Sequence, residues 1–311
     1  MRMPTARIRF LLTVSVLIAT AGVSLSEEES SESRKVRVAA ISFVPVAFEL
    51  EGNADRLEVA LRKAVERGVD LAVAPEGALD GYGIHQVLDG TVSAERMRDV
   101  ALEMDDPIIK RFQTLAQELD MCLVFGFAEL VEDDIFNCAV FIDNQGNIRG
   151  KQHKMQFAEG YDESWWHNRL GSKCRAFDTP FGRCGILICN DRWNPELARI
   201  AALDGAQFLC IPANGSTSPK QDETVLRRSL ENNIPVVEAN VGVTLVVDRG
   251  KIRSVDRERE AVTVDTITIS PASSRSTELR DRTEQAFLRW RQAEMPKRLA
   301  ARRRPAALEE E

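Results

Sequence analysis

Short apolar segments typical of β-strands alternate with amphipathic segments typical of α-helices along most of this chain. Residues 36–42 and 70–74 are compact apolar segments. Residues 53–67 instead place apolar side chains at the spacing of one helix face, and Gly68 ends that segment. The alternation continues further along the chain. A chain with this order of elements is predicted to form an α/β protein in which helices cover β-sheets.

One of the apolar segments ends in a cysteine. Residues 185–188 are predicted to form a short buried strand, Cys189 follows directly, and Pro195 stands where the next helix would begin. A thiol at such a corner lies beside free backbone N–H groups, which stabilise a thiolate and a developing oxyanion. A cysteine that ends an apolar strand is more often a small core residue. At this point both interpretations stay open.

A glutamate follows another predicted strand in the same way. Glu76 comes directly after the 70–74 segment, between a proline and a glycine. A loop glutamate is usually only solvated, but open α/β sheets place their sites at the carboxyl ends of strands. Residues 149–161 then form a polar loop that contains two lysines, a histidine and Glu159. Several aromatic residues lie in and after this loop, which indicates that it covers a pocket.

The cysteines and histidines do not indicate a metal site. The chain has six cysteines and three histidines, without a CxxC or histidine-rich spacing. Six cysteines are too sparse for a disulfide scaffold in a chain of 311 residues. Cys184 and Cys189 are an odd number of residues apart along one predicted strand, so we expect them to point to opposite faces and not to be bonded to each other.

The first 26 residues have the pattern of an export signal. Three arginines precede an apolar run at 10–23, and the small residues Ser24 and Ser26 follow at a spacing that signal peptidases accept. An uncleaved membrane anchor is the rival interpretation, but the run is shorter than the roughly 20 residues that span a bilayer. We therefore expect an exported protein, periplasmic or secreted, without stable membrane insertion after the signal is removed.

The charge of the remaining chain limits its partners. Removing residues 1–26 takes away three arginines and no acid, so the formal net charge falls from −7 to −10. A protein this acidic is a poor candidate for binding nucleic acid or an anionic membrane. Residues 27–35 are predicted to form a flexible acidic tail. Residues 271–311 are predicted to form a C-terminal helical extension, in which Leu279, Phe287 and Trp290 share one helix face.

Three segments in register carry a resemblance to a known family. They are Pro-Glu-Gly followed by Gly-Tyr around Glu76, Gly-Lys-Gln-His around Lys151, and Cys-Asn-Asp-Arg-Trp-Asn-Pro-Glu from Cys189. Together they resemble the signature blocks of the nitrilase superfamily of carbon–nitrogen hydrolases, with supporting matches over residues 36–252. The resemblance implies an α-β-β-α sandwich, the four-layer nitrilase-like fold, over a hydrolase domain at 36–270. It also implies that no metal or organic cofactor is required.

The resemblance further implies roles for individual residues. Glu76 is expected to be the general base, Lys151 the cation beside the tetrahedral intermediate, and Cys189 the nucleophile. Glu159 resembles the further glutamate that orients the substrate and the lysine, with Glu163 as the alternative claimant.

The pocket residues are where the chain departs from the family pattern. Asn190 stands where an aromatic residue is common, and Lys154 replaces an apolar residue after His153. Because the residues after the cysteine line the pocket in the family, Asn190 and Trp193 are expected to contact the substrate. Tyr161 is a further expected substrate contact.

These implications predict a thiol hydrolase of non-peptide C–N bonds. The expected substrate is a small-molecule amide or N-carbamoyl amine, which would pass through a cysteine acyl-enzyme and release ammonia or an amine. Two alternatives stay open: a nitrilase that acts on nitriles, and a catalytically idle binding or assembly protein on the same fold. Family members generally pair through helices, so we also expect a homodimer or a larger homo-oligomer.

Overall fold

Two six-stranded β-sheets form the middle of the molecule. The computed structural model describes residues 32–161, 169–272 and 274–302. The predicted export signal and the alternative glutamate Glu163 therefore lie outside the described residues.

The strands and helices follow one another in the predicted alternation. The strands are β1 (Arg34–Ser42), β2 (Leu71–Val73), β3 (Cys122–Val131), β4 (Asp134–Ile142), β5 (Ile148–His153), β6 (Phe177–Thr179), β7 (Gly182–Ile186), β8 (Phe208–Ala213), β9 (Val236–Asn240), β10 (Val243–Asp248), β11 (Lys251–Asp256) and β12 (Ala261–Ile269). The helices are α1 (Leu50–Val65), α2 (Ile84–Leu88), α3 (Glu95–Arg98), α4 (Pro107–Leu119), α5 (Pro195–Leu203), α6 (Pro219–Asn232) and α7 (Thr277–Arg302).

Strand direction determines which loops meet. The first sheet has the order β12-β1-β2-β3-β4-β5, and the second has the order β11-β10-β9-β8-β7-β6. In the first sheet β1, β2 and β3 are parallel, and two antiparallel steps through β4 make β5 run in the direction of β3. In the second sheet β7, β8 and β9 are parallel. The residues that follow β2 and β5 therefore emerge at the same edge of the first sheet.

Three apolar cores hold four layers together. The sheets pack face to face through side chains such as Val38, Val124 and Val237. Helices α1 and α4 cover the outer face of the first sheet, as shown by Leu57 and Phe112. Helices α5, α6 and α7 cover the outer face of the second sheet, where the core contains Leu197, Ile200, Val225, Leu245 and Phe287. The predicted α-β-β-α sandwich is confirmed.

Local sequence signals account for the helix that follows the cysteine. The side chain of Asn194 accepts a hydrogen bond from the backbone N–H of Glu196, which caps the first turn of α5. Pro195 occupies the first helical position, where a missing N–H costs no hydrogen bond. The predicted helix start at Pro195 is therefore confirmed. None of the helices in the described ranges is both long and apolar enough to cross a bilayer.

Candidate active site

Glu76 stands at the carboxyl end of β2 and is completely buried. Its carboxylate accepts hydrogen bonds from Asn137 Nδ2 at 2.7 Å, Lys154 Nζ at 2.6 Å and the backbone N–H of Asn214 at 3.1 Å. Asn214 follows β8 of the second sheet, so the site lies where the strand ends of the two sheets meet. The neighbouring strand β3 passes so close that a Cβ on Gly126 would lie 2.7 Å from the Glu76 Cα. Only glycine fits there.

The lysine at this site is Lys154, and the expectation that Lys151 would lie there is wrong. Lys151 lies within β5, opposite Val140, on the face of the sheet that helices cover. Its amine bonds the Glu129 carboxylate, and its side chain is 38% exposed. Lys154 directly follows the end of β5, and its side chain is 1% exposed. The two lysines are three positions apart, and side chains alternate between the faces of a strand, so they cannot share a face.

Lys154 and Glu76 form a buried ion pair. Burial alone would lower the pKa of Lys154, but the adjacent Glu76 carboxylate raises it well above its usual range. The lysine is therefore a cation at neutral pH. The hydroxyl of Tyr82 lies 3.5 Å from Lys154 Nζ, and burial raises the pKa of that hydroxyl well above its usual range.

The structure places Glu159 in the same cluster. Glu159 is 5% exposed, and its charge acts on both Lys154 and Tyr82. The site therefore contains two acidic side chains around one lysine, as expected for a glutamate that orients the lysine.

Cys189 occupies a sharp corner between β7 and a 3-10 turn, Cys189–Trp193, that leads into α5. Its backbone has a φ of 45°, a left-handed conformation that costs a non-glycine residue about 1 kcal/mol or more. Burial raises the pKa of its thiol to about 11, and the Glu76 carboxylate contributes to the rise. Arg192 and Lys154 oppose that rise. The sulfur therefore carries its proton at neutral pH, close to a carboxylate that can accept it.

All six cysteines lie within the described residues, and all are free. The prediction that Cys184 and Cys189 are not bonded to each other is confirmed. The prediction that they point to opposite faces is wrong, because both contribute to the core between the sheets. Strand β7 ends at Ile186, so strand alternation does not extend to Cys189.

Asp191 joins the cysteine turn to the lysine segment. Its buried carboxylate accepts backbone hydrogen bonds from Ile188, Met155 and Gln156, each at 3.0 Å. Ile188 directly precedes the cysteine and Met155 directly follows the lysine. Burial raises the pKa of Asp191 to about 7. Sequence reasoning assigned no role to this residue, although a short acidic side chain after a strand end is a typical acceptor for backbone N–H groups.

A second buried ion pair lies beside the thiol. Arg192 is completely buried, and its Nη1 lies 3.1 Å from Glu238 Oε1 on β9. Burial raises the pKa of Glu238 to about 7, although the arginine opposes the rise. Arg192 thus adds a second cation near Cys189. Sequence reasoning missed it, because the partner that compensates its charge lies on a distant strand.

The three expected substrate contacts lie in different surroundings. Asn190 Nδ2 is buried next to Cys189 and has no hydrogen-bond partner among the described residues, so it can donate to a ligand. Trp193 lines a cleft of about 350 Å³ together with Gln156. Tyr161 lines another, of about 610 Å³, together with Arg291. Neither Cys189 nor Glu76 is among the residues lining these two clefts, so the structure brings only Asn190 to the thiol.

One group of possible metal ligands lies in the described part of the chain, on the outer face of the first sheet. The ligand atoms of Glu129, Cys138 and His153 lie within 4.8 Å of one another. Lys151 and His153 already bond the Glu129 carboxylate. Burial also raises the pKa of Cys138 well above its usual range, which keeps the thiol protonated. These contacts make the group a salt-bridge cluster of the sheet.

Comparison with known proteins agrees with this geometry. The family model for carbon-nitrogen hydrolases matches residues 37–275. A probable nitrilase of Schizosaccharomyces pombe is 28% identical over 257 residues, covering 76% of this chain and 90% of that protein. An N-carbamoylputrescine amidase of Oryza sativa subsp. japonica is 30% identical over 215 residues, covering 68% of each chain. The solved structure of an amidase from Nesterenkonia sp. AN1 superposes with a TM-score of 0.64 at 21% identity, covering 82% of this chain and 99% of that one.

The sandwich fold, with strand ends from both sheets meeting at one site, is that of the nitrilase superfamily. The chain belongs to the carbon–nitrogen hydrolase family. It is an enzyme for C–N bonds other than peptide bonds, of the class that acts on amides or nitriles.

Proposed function

We propose that this protein is an exported amidase or N-carbamoyl-amine hydrolase that works through a Cys189 acyl-enzyme, with Glu76 as base and Lys154 as the oxyanion cation. The observation that carries the proposal is the buried contact of 2.6 Å between Glu76 and Lys154, close to a thiol held in the left-handed conformation. A buried ion pair costs desolvation energy and contributes little net stability. Its position beside a nucleophile supports a catalytic role, against the alternative of an idle protein.

Acylation needs a base because the thiol is neutral. Glu76 accepts the proton from Sγ as the sulfur attacks the carbonyl carbon of the substrate, and a C–S bond forms. The negative charge that develops on the carbonyl oxygen is stabilised by Lys154 and by a backbone N–H after Cys189, at about 3 kcal/mol per donor. Protonated Glu76 then gives its proton to the leaving nitrogen. The C–N bond breaks, and ammonia or an amine departs.

Deacylation uses the same groups in reverse order. Water attacks the thioester carbon while Glu76 accepts one of its protons, and the thiol leaves with that proton. Glu159 acts as the residue that orients Lys154, because its charge reaches the lysine in the same buried cluster. The scheme moves only protons and one acyl group, and these residues supply every donor and acceptor that it requires.

The relatives support the substrate class. The rice relative is an N-carbamoylputrescine amidase, and a relative in Francisella tularensis, 29% identical over 188 residues, is a citrullinase. The unpartnered Nδ2 of Asn190 supplies a donor for the carbonyl oxygen of an amide or carbamoyl group. A nitrilase is the second candidate, because the yeast relative is a probable nitrilase. Acid formation from nitriles without amide cleavage would identify it.

Paired cysteine and lysine variants test the assignment. Cys189→Ala should abolish amide turnover with little loss of stability, whereas Cys184→Ala, which changes another buried thiol, should keep activity. Lys154→Met should reduce acylation by on the order of 100-fold, because its charge acts on the transition state. Lys151→Met, the matched control on the outer face, should retain nearly full activity.

Mass spectrometry of protein quenched with substrate completes the test. The acyl adduct should lie on Cys189. An adduct on another cysteine, or a Lys151→Met variant that is the slower of the two lysine variants, would refute the assignment.

A further inference from the structure

The C-terminal helix α7 contacts both segments that bring polar groups to the lysine. The helix begins at Thr277, beyond the 37–275 region that the family model matches. It lies directly against the segment that carries Glu159: a Cβ on Gly160 would lie 2.4 Å from the backbone nitrogen of Leu299 and 2.7 Å from the carbonyl oxygen of Met295. Only a glycine allows the helix backbone to approach this closely.

Arg291, in the middle of α7, reaches the lysine segment itself. Its Nη1 donates to the carbonyl oxygen of Met155 at 3.0 Å and to that of Gly171 at 2.7 Å. The backbone N–H of Met155 donates to Asp191, in the turn that carries the nucleophile. Residue 155 is therefore held on both sides, by the cysteine turn at its nitrogen and by α7 at its carbonyl oxygen. Lys154 is the residue directly before it.

From these contacts we propose that Arg291 is a positioning residue, which fixes the backbone after Lys154 so that the ammonium group stays between Glu76 and the substrate. The inference rests on the proposed function, because it assigns α7 a task in that same site. It also gives the C-terminal extension a role beyond covering the second sheet.

The energetics of the contact support this role. A lysine has four side-chain carbons, so its ammonium follows any displacement of its backbone, and a misplacement of about 1 Å at a catalytic group can cost roughly 100-fold in rate. Charged donors form stronger hydrogen bonds to carbonyl oxygens than neutral ones do. Asp191 and Tyr161 are the groups whose charges act on Arg291, and Asp191 is the residue that holds the other side of Met155.

The test compares three variants of the full chain. Arg291→Met removes both donors and keeps much of the side-chain volume, and Arg291→Lys keeps the charge and a donor. Arg289→Ala removes an exposed arginine from the same helix. We expect Arg291→Met to lower kcat at least tenfold with KM nearly unchanged, Arg291→Lys to recover part of that loss, and Arg289→Ala to behave as the native protein.

A second readout does not depend on turnover. The pH dependence of Cys189 alkylation by iodoacetamide reports the charges that face the thiol, which come from Glu76, Lys154 and Arg192. Displacing Lys154 weakens a cation that favours the thiolate, so the midpoint should shift upward in Arg291→Met, as in Lys154→Met. In the double variant, Arg291→Met should add no further shift, because both changes act through the same ammonium.

The two readouts separate the possible failures. If Arg291→Met lowers only the melting temperature and leaves kcat and the alkylation midpoint unchanged, or if it shifts the midpoint fully in the Lys154→Met background, the positioning role is wrong. If the native protein cleaves no amide, the proposed function fails, and the alkylation measurements still decide whether Arg291 positions Lys154.

Discussion

At Cys189 two influences act in the same direction on the sulfur. Burial and the negative charge of Glu76 both favour the neutral thiol, and the cations Arg192 and Lys154 only partly offset them. A site that stored a thiolate would have the opposite balance, with cations dominant. The geometry is suited to a thiol that loses its proton only as it attacks, because the base that receives the proton also raises the thiol pKa.

Replacing Glu76 by glutamine should therefore have opposite effects on alkylation and on turnover. The carboxylate disfavours a nearby thiolate, so its removal lowers the thiol pKa, and the unneutralised Lys154 lowers it further. We expect the midpoint for iodoacetamide alkylation of Cys189 to fall below about 11. Amide turnover should fall on the order of 100-fold or more, because the base is lost from both half-reactions.

Glu129→Gln is the control for that experiment. It removes another buried glutamate, one that pairs with Lys151 and His153 on the outer face of the sheet. The alkylation midpoint of Cys189 should stay where it is in the native protein. A midpoint that rises in Glu76→Gln would contradict the electrostatic account of the thiol.

Which catalytic residues could be predicted depended on where strands end. Glu76 and Cys189 each follow a recognisable apolar strand, so the sequence placed both correctly at a sheet edge. Residues 148–153 form an edge strand with only one fully buried side chain, and its end is not visible as a change in hydrophobicity. The choice of Lys151 over Lys154 therefore failed by three positions, and an odd displacement along a strand reverses the face.

At the scale of elements, the long buried strands and capped helices were predictable, and the contacts of α7 were not. Its polar residues outnumber its apolar ones, and only Glu284, Phe287 and Met295 are buried. The face predicted from the sequence correctly contained Phe287 but also included Leu279 and Trp290, which are 42% and 37% exposed. Tertiary contacts from Arg291 and Glu284 to backbone groups of distant loops decide how the helix lies.

Two substitutions on α7 should measure how firmly the helix is attached. Phe287 is completely buried in the core that α5, α6 and the second sheet share, so Phe287→Ala should destabilise the protein by about 3–5 kcal/mol. Leu279→Ala, on the exposed side of the same helix, should change the free energy of unfolding by no more than about 0.5 kcal/mol. Urea denaturation followed by circular dichroism measures both. Equal effects would mean that α7 does not pack through Phe287.

At the scale of the whole molecule, the sandwich itself was predictable because three motif blocks in register indicated the family, and the alternation of elements agreed with it. Assembly and export are proposals of a different kind. Family members generally pair through helices, so we propose at least a dimer in solution. Static light scattering at micromolar concentration should give about twice the mass of one chain, and a monomer mass would overturn the proposal.

Export is the last property that the whole chain predicts. Strand β1 begins at Arg34 and pairs with β12 over its full length, from Arg34 opposite Ile269 to Ser42 opposite Ala261. Every described strand pair thus lies beyond residues 1–26, so removing that segment should leave the fold intact. The free energy of unfolding of a 27–311 chain should match that of the full chain within about 0.5 kcal/mol.

Intact-mass analysis of protein from its native host tests export directly. We expect the loss of a segment close to 26 residues and a mass that fits six free thiols, because every cysteine is buried and unpaired. A variant with arginines in place of Leu11 and Leu12 interrupts the apolar run that a signal requires, and it should keep its full length. If the native chain is recovered from the cytosol at its full length, the first 26 residues are not an export signal.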